Sequence, residues 1–551
     1  MTSAADLVLT NVDGHTLTDP DETFGAVAAR NGRIVRVGRT DEIDHLTGVE
    51  TREIDCEGRT LLPGFVDAHT HLPMVGRRIE NAALGTVADP EAAVAALTDH
   101  ASATDREWVL GFGYDESAWP ESRYLRRADL DRVSTDRPVV AFREDMHVAS
   151  LNTAALERLR PDMPDGDVHT EDGGTDASGG TDAGGGNPTG VVVEEAVDVV
   201  WEAVRPDRER MTTLVQAAQA RANELGVTCV HDMVRQSAAP AVYRALDVAG
   251  DLTLRVRINY WSDHLEAVEE LGLRTNHGSD MVRVGAIKTF TDGSIGGRTA
   301  KLSAPYADAP GETERRTDGE FDDDTDDARG QWVVDPAELR EIVDRADDLD
   351  VQVTAHAIGD EAIAETLAAF EEVGGGDAAS PDSEVDGARH RIEHAEVLTD
   401  DLVERLGASD VVVSAQPNFL KWARADGLYA ARLGDERRLD SNRYADLLAA
   451  GAEVAFGSDC MPLDPLFGVQ QAVTAPVEGQ RLDVTEALRA YTRGGAYAGF
   501  DEHRLGTVET GKRVDLVVLE RSPWAVDPEE IGDIGVALTL VDGEVVFDGR
   551  E

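Results

Sequence analysis

Cysteine and lysine are nearly missing from this 551-residue chain. The three cysteines, Cys56, Cys229 and Cys460, are scattered without the paired spacing of a disulfide framework or a zinc knuckle, so they read as small apolar residues. The four lysines are Lys288, Lys301, Lys421 and Lys512. Positive charge is scarce altogether: 52 basic side chains stand against 107 acidic ones, a net charge of -55. A surface that negative repels nucleic acid and anionic membranes, which removes both as partners. No apolar run reaches the length of about 18 residues that a membrane-spanning helix needs. The start, Met1-Thr2-Ser3-Ala4-Ala5-Asp6, lacks the basic and apolar segments of a secretory leader, so the expected location is cytoplasmic.

What is present is a long globular chain, 41% hydrophobic, with enough residues for two or three packed units. Its acidic, lysine-poor composition resembles that of proteins from salt-loving archaea, where dissolved salt screens the self-repulsion. Short strands open the chain: Ala26–Arg30 turns at Asn31-Gly32 into Arg33–Val37, a strong two-residue hairpin signal. The C-terminal end repeats the style, with a strand over Val514–Leu519 and an Asp542-Gly543 turn between Leu538–Val541 and Glu544–Phe547. A small β-sandwich from both termini, residues 1–58 plus 501–551, is the simplest arrangement. Between them, apolar strands near Val227–Val230, Val282–Thr289, Val351–His356 and Val411–Ala415 alternate with helices over 212–225, 336–348 and 361–373. That alternation predicts an α/β fold, best a TIM (β/α)8 barrel built from 59–74 plus 211–500. Residues 75–210 then form an inserted α/β lobe, either over the barrel mouth, limiting substrate size and water access, or as an outer stabilising layer. Three stretches rich in Gly, Asp, Thr or Ser, Pro164–Gly190, Ala309–Gly330 and Gly374–Gly387, read as exposed, mobile loops without chemistry.

Five separated motifs carry candidate chemistry. In Pro63-Gly64-Phe65-Val66-Asp67-Ala68-His69-Thr70-His71, a strand ends in histidines at i and i+2, and alternate residues of a strand share a face. His69 and His71 can therefore hold one ion, or be satisfied or solvated histidines. Lys288 ends an apolar strand, where an ammonium is costly to bury; it either snorkels to the barrel rim or pairs with an acid, or it serves a special purpose such as carboxylation by carbon dioxide. Gln352, Thr354 and His356 share one face of a strand, and Asp360 reads as the N-cap of the helix that follows. In Arg389-His390-Arg391-Ile392-Glu393-His394, His390 and His394 fall on one face; His394, nearer the strand end, is the better ligand, and His390 could orient its surroundings. Asp459 ends the apolar strand Val454–Ser458, as a turn former or as the last member of the set.

In this order, His-x-His, Lys, His, His, Asp, each at a strand end, the chain resembles the amidohydrolase superfamily. It is most similar to the branch of N-substituted formamide deformylases and exoenzyme regulatory proteins. The closer likeness rests on Gly111-Phe112-Gly113-Tyr114-Asp115 with Trp119, His147 with Asn152, Pro188-Thr189-Gly190, and Lys288 to Asp292-Gly293-Ser294 with Arg298-Thr299-Ala300. The acidic Gly-rich loops depart from that pattern, and Glu144-Asp145-Met146-His147 stands where Asp-Gly-His is usual.

The resemblance implies a divalent metal, zinc by ligand chemistry, as one or two ions per chain. His69, His71 and Asp459 would bind one ion, His356 and His394 a second, and carboxylated Lys288 would bridge them. It further implies a metal-dependent amidohydrolase that cleaves a non-peptide amide C–N bond, of the N-acyl or N-formyl amine type, with metal-activated hydroxide. Asp459 would be the catalytic acid–base, His147 and Arg298 substrate contacts, and the partner a small-molecule amide, in a chain that could form a homodimer. Two other readings stand beside it: a mononuclear hydrolytic deaminase on the same barrel, and a non-catalytic regulatory protein that keeps the fold.

Overall fold

The computed structural model describes residues 4–116, 119–144, 146–171, 187–309, 327–374 and 388–550. The cores of the three stretches expected as loops, 172–186, 310–326 and 375–387, lie outside these, as does Asp145. The described chain forms two compact units, one from the segment up to Leu72 together with Gln219 onward, the other from Pro73–Ala218.

In the larger unit, eight strands pair in chain order: Phe65–Thr70, Val227–Val234, Arg255–Trp261, Val282–Phe290, Gln352–Ala357, Arg391–His394, Val412–Ala415 and Glu453–Phe456. All seven ladders are parallel. Such strands are buried on both faces, which is why most read as nearly continuous apolar runs. Beyond the last strand, the amides of Ser458 and Asp459 donate to the His69 carbonyl at 3.1 and 2.7 Å, bringing the eighth strand round to the first. The result is the expected α/β TIM barrel, whose C-terminal strand ends define the face where chemistry gathers.

The helices follow from caps and stripes. Helix Pro336–Asp348 has Pro at its first turn, Asp335 capping the amides of Ala337 and Glu338, and Leu339, Val343 and Ala346 buried on one face. The helices expected over 212–225 and 361–373 run Arg208–Glu224 and Asp360–Gly374. Asp360 differs from its expected capping role: it opens the helix, and its carboxylate accepts from the amide (2.9 Å) and hydroxyl of Ser303. Just ahead of the helix, buried Asp292 accepts from the Ile358 and Gly359 amides at 3.0 and 2.8 Å and so fixes the chain that leads into it.

The two termini share one sheet. Thr60–Pro63 pairs antiparallel with Leu516–Leu519, and Asn31-Gly32 and Asp542-Gly543 turn with positive φ at both residues, as two-residue hairpins require. The expected sandwich takes the form of one continuous bonded sheet of eight strands. The reason is the nine-residue strand Leu7–His15, which pairs with Arg52–Asp55 along its first half and with Thr60–Leu61 along its second, across a register shift between Thr10 and Gly14. Leu9, Val27, Leu61, Leu516 and Leu538 pack one core from both ends of the chain.

The smaller unit is α/β. Its six-stranded sheet runs Val168–Thr170, Pro188–Val193, Val148–Leu151, Val139–Arg143, Val109–Tyr114 and Ala82–Ala83, with one apolar core around Phe142 and Val192 and another around Leu97 and Leu130. The outer parts of the stretch expected as a loop over 164–190 thus form an antiparallel strand pair.

Candidate metal centre

The first barrel strand ends in His69 and His71, and each imidazole is oriented by a bond from its Nδ1. His69 Nδ1 donates to Glu393 Oε2 at 2.5 Å, and His71 Nδ1 donates to the Met233 carbonyl at 3.2 Å. Carboxylates and carbonyls only accept, so both rings carry their proton on Nδ1 and present the Nε2 lone pair. Those two Nε2 atoms lie 3.8 and 3.4 Å from Asp459 Oδ1.

His356 is turned the other way. Its Nε2 donates to the Gly293 carbonyl at 2.9 Å, leaving Nδ1 as the free lone pair. Its ring stacks on Phe290 with centroids 4.2 Å apart and meets the His394 ring at 4.4 Å; His394 in turn lies 5.0 Å from His69. Burial, above all, holds both His356 and His394 well below the ordinary imidazole range, so both are neutral near pH 7 and able to ligate.

His394 reaches the cluster by breaking the alternation of its strand. Arg391 and Glu393 are the residues that point across the barrel interior, where Arg391 meets the Ala68 carbonyl and Glu393 meets His69. His390 faces the other way: it packs against Phe370 at 4.8 Å, and its Nδ1 accepts from the Val353 amide at 3.0 Å. The expected shared face of His390 and His394 is therefore not found. His394 and Ala395 adopt φ of +73° and +48°, which ends the regular strand and frees the His394 ring from its alternation.

Lys288 lies on the fourth strand beside Thr354 of the fifth. Its side chain is wholly enclosed, with Nζ 4.8 Å from the Phe290 ring centroid. Burial pushes its ammonium down to about 8, against the pull of Glu393 and Asp459. Neutral amine is then a minor but accessible form near neutrality, roughly a tenth at pH 7.

Asp459 stands in a turn where it and Cys460 have φ of +49° and +54°, conformations unfavourable for side-chain-bearing residues. The turn is held from several sides. The Asp459 amide donates to His69, the Cys460 amide to Ser458 Oγ at 3.1 Å, and Asn418 Nδ2 to the Ser458 and Met461 carbonyls at 2.8 Å each. Asp67, with both the His69 and Ser458 amides on its Oδ1 at 3.1 and 3.0 Å, locks the first strand to the eighth beneath the ligands.

Ligand atoms of His69, His394 and Asp459, from the first, sixth and eighth strands, lie within 4.8 Å of one another. Around them three buried atoms have no hydrogen-bond partner: Lys288 Nζ, His356 Nδ1 and His394 Nδ1. Leaving buried donors and acceptors unmatched is costly, and so many converging on one place suits a cation-binding role. Four imidazoles, a carboxylate and an amine form a donor set that fits a divalent ion such as zinc. The tightest trio draws on both of the ligand subsets implied by the resemblance.

The two expected substrate contacts each have an acidic neighbour. Arg298 donates to Asp308 at 3.1 and 2.8 Å, and Asp308 also takes Arg432. His147 belongs to the smaller unit, is largely exposed, and lies 3.9 Å from Glu194. Sequence reasoning passed over Glu393 and Asp67. Both had a signal: a carboxylate on the inward face of an apolar barrel strand, beside or two residues from a ligand, needs a buried partner.

The sequence model of the amidohydrolase family matches residues 52–547. YtcJ of Bacillus subtilis is 28% identical over 559 residues, covering 97% of this chain and 98% of its own. The N-substituted formamide deformylase of Arthrobacter pascens is 25% identical, covering 100% and 99% respectively. The crystal structure of an uncharacterized metal-dependent hydrolase from Pyrococcus furiosus superposes with a TM-score of 0.75 at 28% identity, over 95% of this chain and 99% of that one.

Proposed function

The chain belongs to the amidohydrolase family, and from that premise we propose that it is a metal-dependent hydrolase of non-peptide amide C–N bonds, taking small N-acyl or N-formyl amines. The observation that carries this reading is the convergence of His69, His394 and Asp459 within 4.8 Å, with Lys288 Nζ, His356 Nδ1 and His394 Nδ1 buried and unpartnered. The likeness to a deformylase of N-substituted formamides supports the substrate class.

In this reading His69, His71, His356, His394 and Asp459 hold the metal, and Lys288, carboxylated at Nζ by carbon dioxide with loss of one proton, adds an anionic oxygen ligand. A divalent ion there supplies Lewis acidity, which lowers the pKa of water to about 7 and polarises a carbonyl oxygen. The chain's own residues do the rest. Glu393 and Met233 fix the imidazole tautomers at Nδ1. Asp459, the only carboxylate of the close trio, accepts the proton that the attacking water sheds, then returns it to the leaving nitrogen. The balance is amide plus water to carboxylic acid plus amine.

The test is metal analysis of the purified protein alongside amine release from a panel of N-formyl and N-acyl amines, before and after chelation. Turnover that is lost on chelation and restored by zinc supports the reading; a metal-loaded protein that cleaves none of the panel overturns it. The compactness of the His69, His394 and Asp459 trio also favours a second reading, a mononuclear hydrolytic deaminase. One ion per chain with ammonia as product selects that reading, and two ions with amide turnover select the first.

A further inference from the structure

Below the ligands, the barrel interior is filled by a charged knot rather than by aliphatic layers. At its centre is Arg391, the largest fully enclosed side chain among the described residues, at 1% exposure. Its Nη2 donates to the Ala68 carbonyl at 2.6 Å and to Ser414 Oγ at 2.9 Å, and lies 2.7 Å from Glu393 Oε1; its Nη1 donates to His231 Nδ1 at 2.8 Å. Glu393, equally buried, also accepts from Thr354 Oγ1 and from His69 Nδ1.

This geometry holds His69 at two points. The carbonyl that Arg391 grips belongs to the peptide leading into His69, so the guanidinium fixes the backbone of that ligand directly. Through Glu393 the same guanidinium fixes the ring. A carboxylate enclosed in a barrel keeps its charge only beside a cation; burial opposes ionisation of Glu393, and Arg391 leads the groups that outweigh it. A planar fork serves several acceptors at once; a lysine ammonium, a single point of charge, does not.

Resting on the reading that the cluster binds a divalent ion, we infer that Arg391 is a positioning residue for metal binding, acting on His69 both through Glu393 and through the Ala68 carbonyl. The rival is a purely structural brace, since the same contacts knit the first, second, sixth and seventh barrel strands together.

Metal affinity separates the two. The full-length protein is stripped of metal, and zinc affinity is measured by chelator competition, with the cobalt(II) absorption spectrum as a report on ligand geometry. Four variants are compared: Arg391→Lys, Arg391→Met, Glu393→Gln and Thr354→Val. The expected result is an affinity loss of about 10–100-fold for Arg391→Met and Glu393→Gln, a shifted cobalt spectrum, partial rescue by Arg391→Lys, and a smaller loss for Thr354→Val. If Arg391→Met does not fold, the near-isosteric Glu393→Gln and the charge-conserving Arg391→Lys decide. Folded Glu393→Gln and Arg391→Lys proteins with unchanged affinity and spectrum, whatever their melting temperature, overturn the positioning role while leaving the metal reading intact. An unmodified protein that binds neither zinc nor cobalt overturns both.

Discussion

Asp459 combines the two features expected of a group that works: a strained backbone and a carboxylate pointed at imidazole lone pairs. Asp459→Asn keeps the shape and removes both charge and basicity. Turnover is expected to fall by at least about 10²-fold, the usual weight of a general acid–base, with melting temperature nearly unchanged; a kinetic assay with metal content measured in parallel checks it. For Lys288, replacement by Ala removes the amine that carbon dioxide would modify. Activity is expected to vanish and to return in part when a small carboxylate such as acetate is added, whereas a merely space-filling lysine gives no such rescue. His69 and His71 were legible because a strand has period two and two histidines so placed share a face. Glu393 was legible only as a carboxylate in need of a buried partner, because that partner, His69, lies 324 residues away and no local spacing names it. His394 was legible as a member of the cluster for an incomplete reason: its strand position is right, but it is the break in alternation that frees its ring from the His390 side.

Among the elements, the eighth barrel strand meets the first at a point that admits no side chain. A Cβ on Gly457 would lie 2.4 Å from the His69 nitrogen and 2.7 Å from its Cβ, so the two strands close only because that residue is glycine. Gly457→Ala is expected to push His69 away from Asp459, costing roughly 1–3 kcal/mol as overpacking does and weakening zinc binding as well. Thermal unfolding and chelator competition measure the two effects, and a variant with native melting temperature and native zinc affinity contradicts the closure argument. The elements themselves were largely legible. Helix 336–348 carries its proline, its cap and its apolar stripe in plain order, and Asn31-Gly32 and Asp542-Gly543 specify their turns through the positive φ that they tolerate. The union of the termini into one sheet was not, because strand Leu7–His15 changes partner halfway along, and alternation alone does not say which neighbour a strand will pair with.

For the whole molecule, the charge of -55 sets two opposite dependences on solution conditions. Exposed carboxylates repel one another through water, and added salt screens them, so the melting temperature at pH 7 is expected to rise from 0.1 M to about 1 M potassium chloride, as the Debye length falls from about 10 to 3 Å. Buried pairs are screened far less, and one of them is expected to contribute to behaviour in acid. Asp501, 4% exposed, accepts from Arg257 Nε at 2.9 Å and from Arg283 Nη1 at 3.3 Å, and lies 3.4 Å from Arg504. It ties the C-terminal segment to the third and fourth barrel strands. Burial opposes its ionisation, but Arg257, Arg504 and Arg283 together hold its carboxyl below the usual value. A carboxyl whose folded pKa is depressed binds fewer protons folded than unfolded. Its stabilisation is therefore complete above the unfolded value of about 3.9, declines below it, and is gone once the pH has fallen through the folded value. Asp501→Asn leaves the buried Arg257 guanidinium its bond to Asn276 but no countercharge, an expected loss of roughly 3–5 kcal/mol at pH 7. Because that variant has already lost the pair, its stability should fall less steeply than that of the unmodified protein below about pH 4, at any fixed salt concentration. Denaturant titrations at pH 7, 5, 4 and 3 in 1 M salt compare the two, and parallel curves throughout would place the acid sensitivity in some other carboxylate.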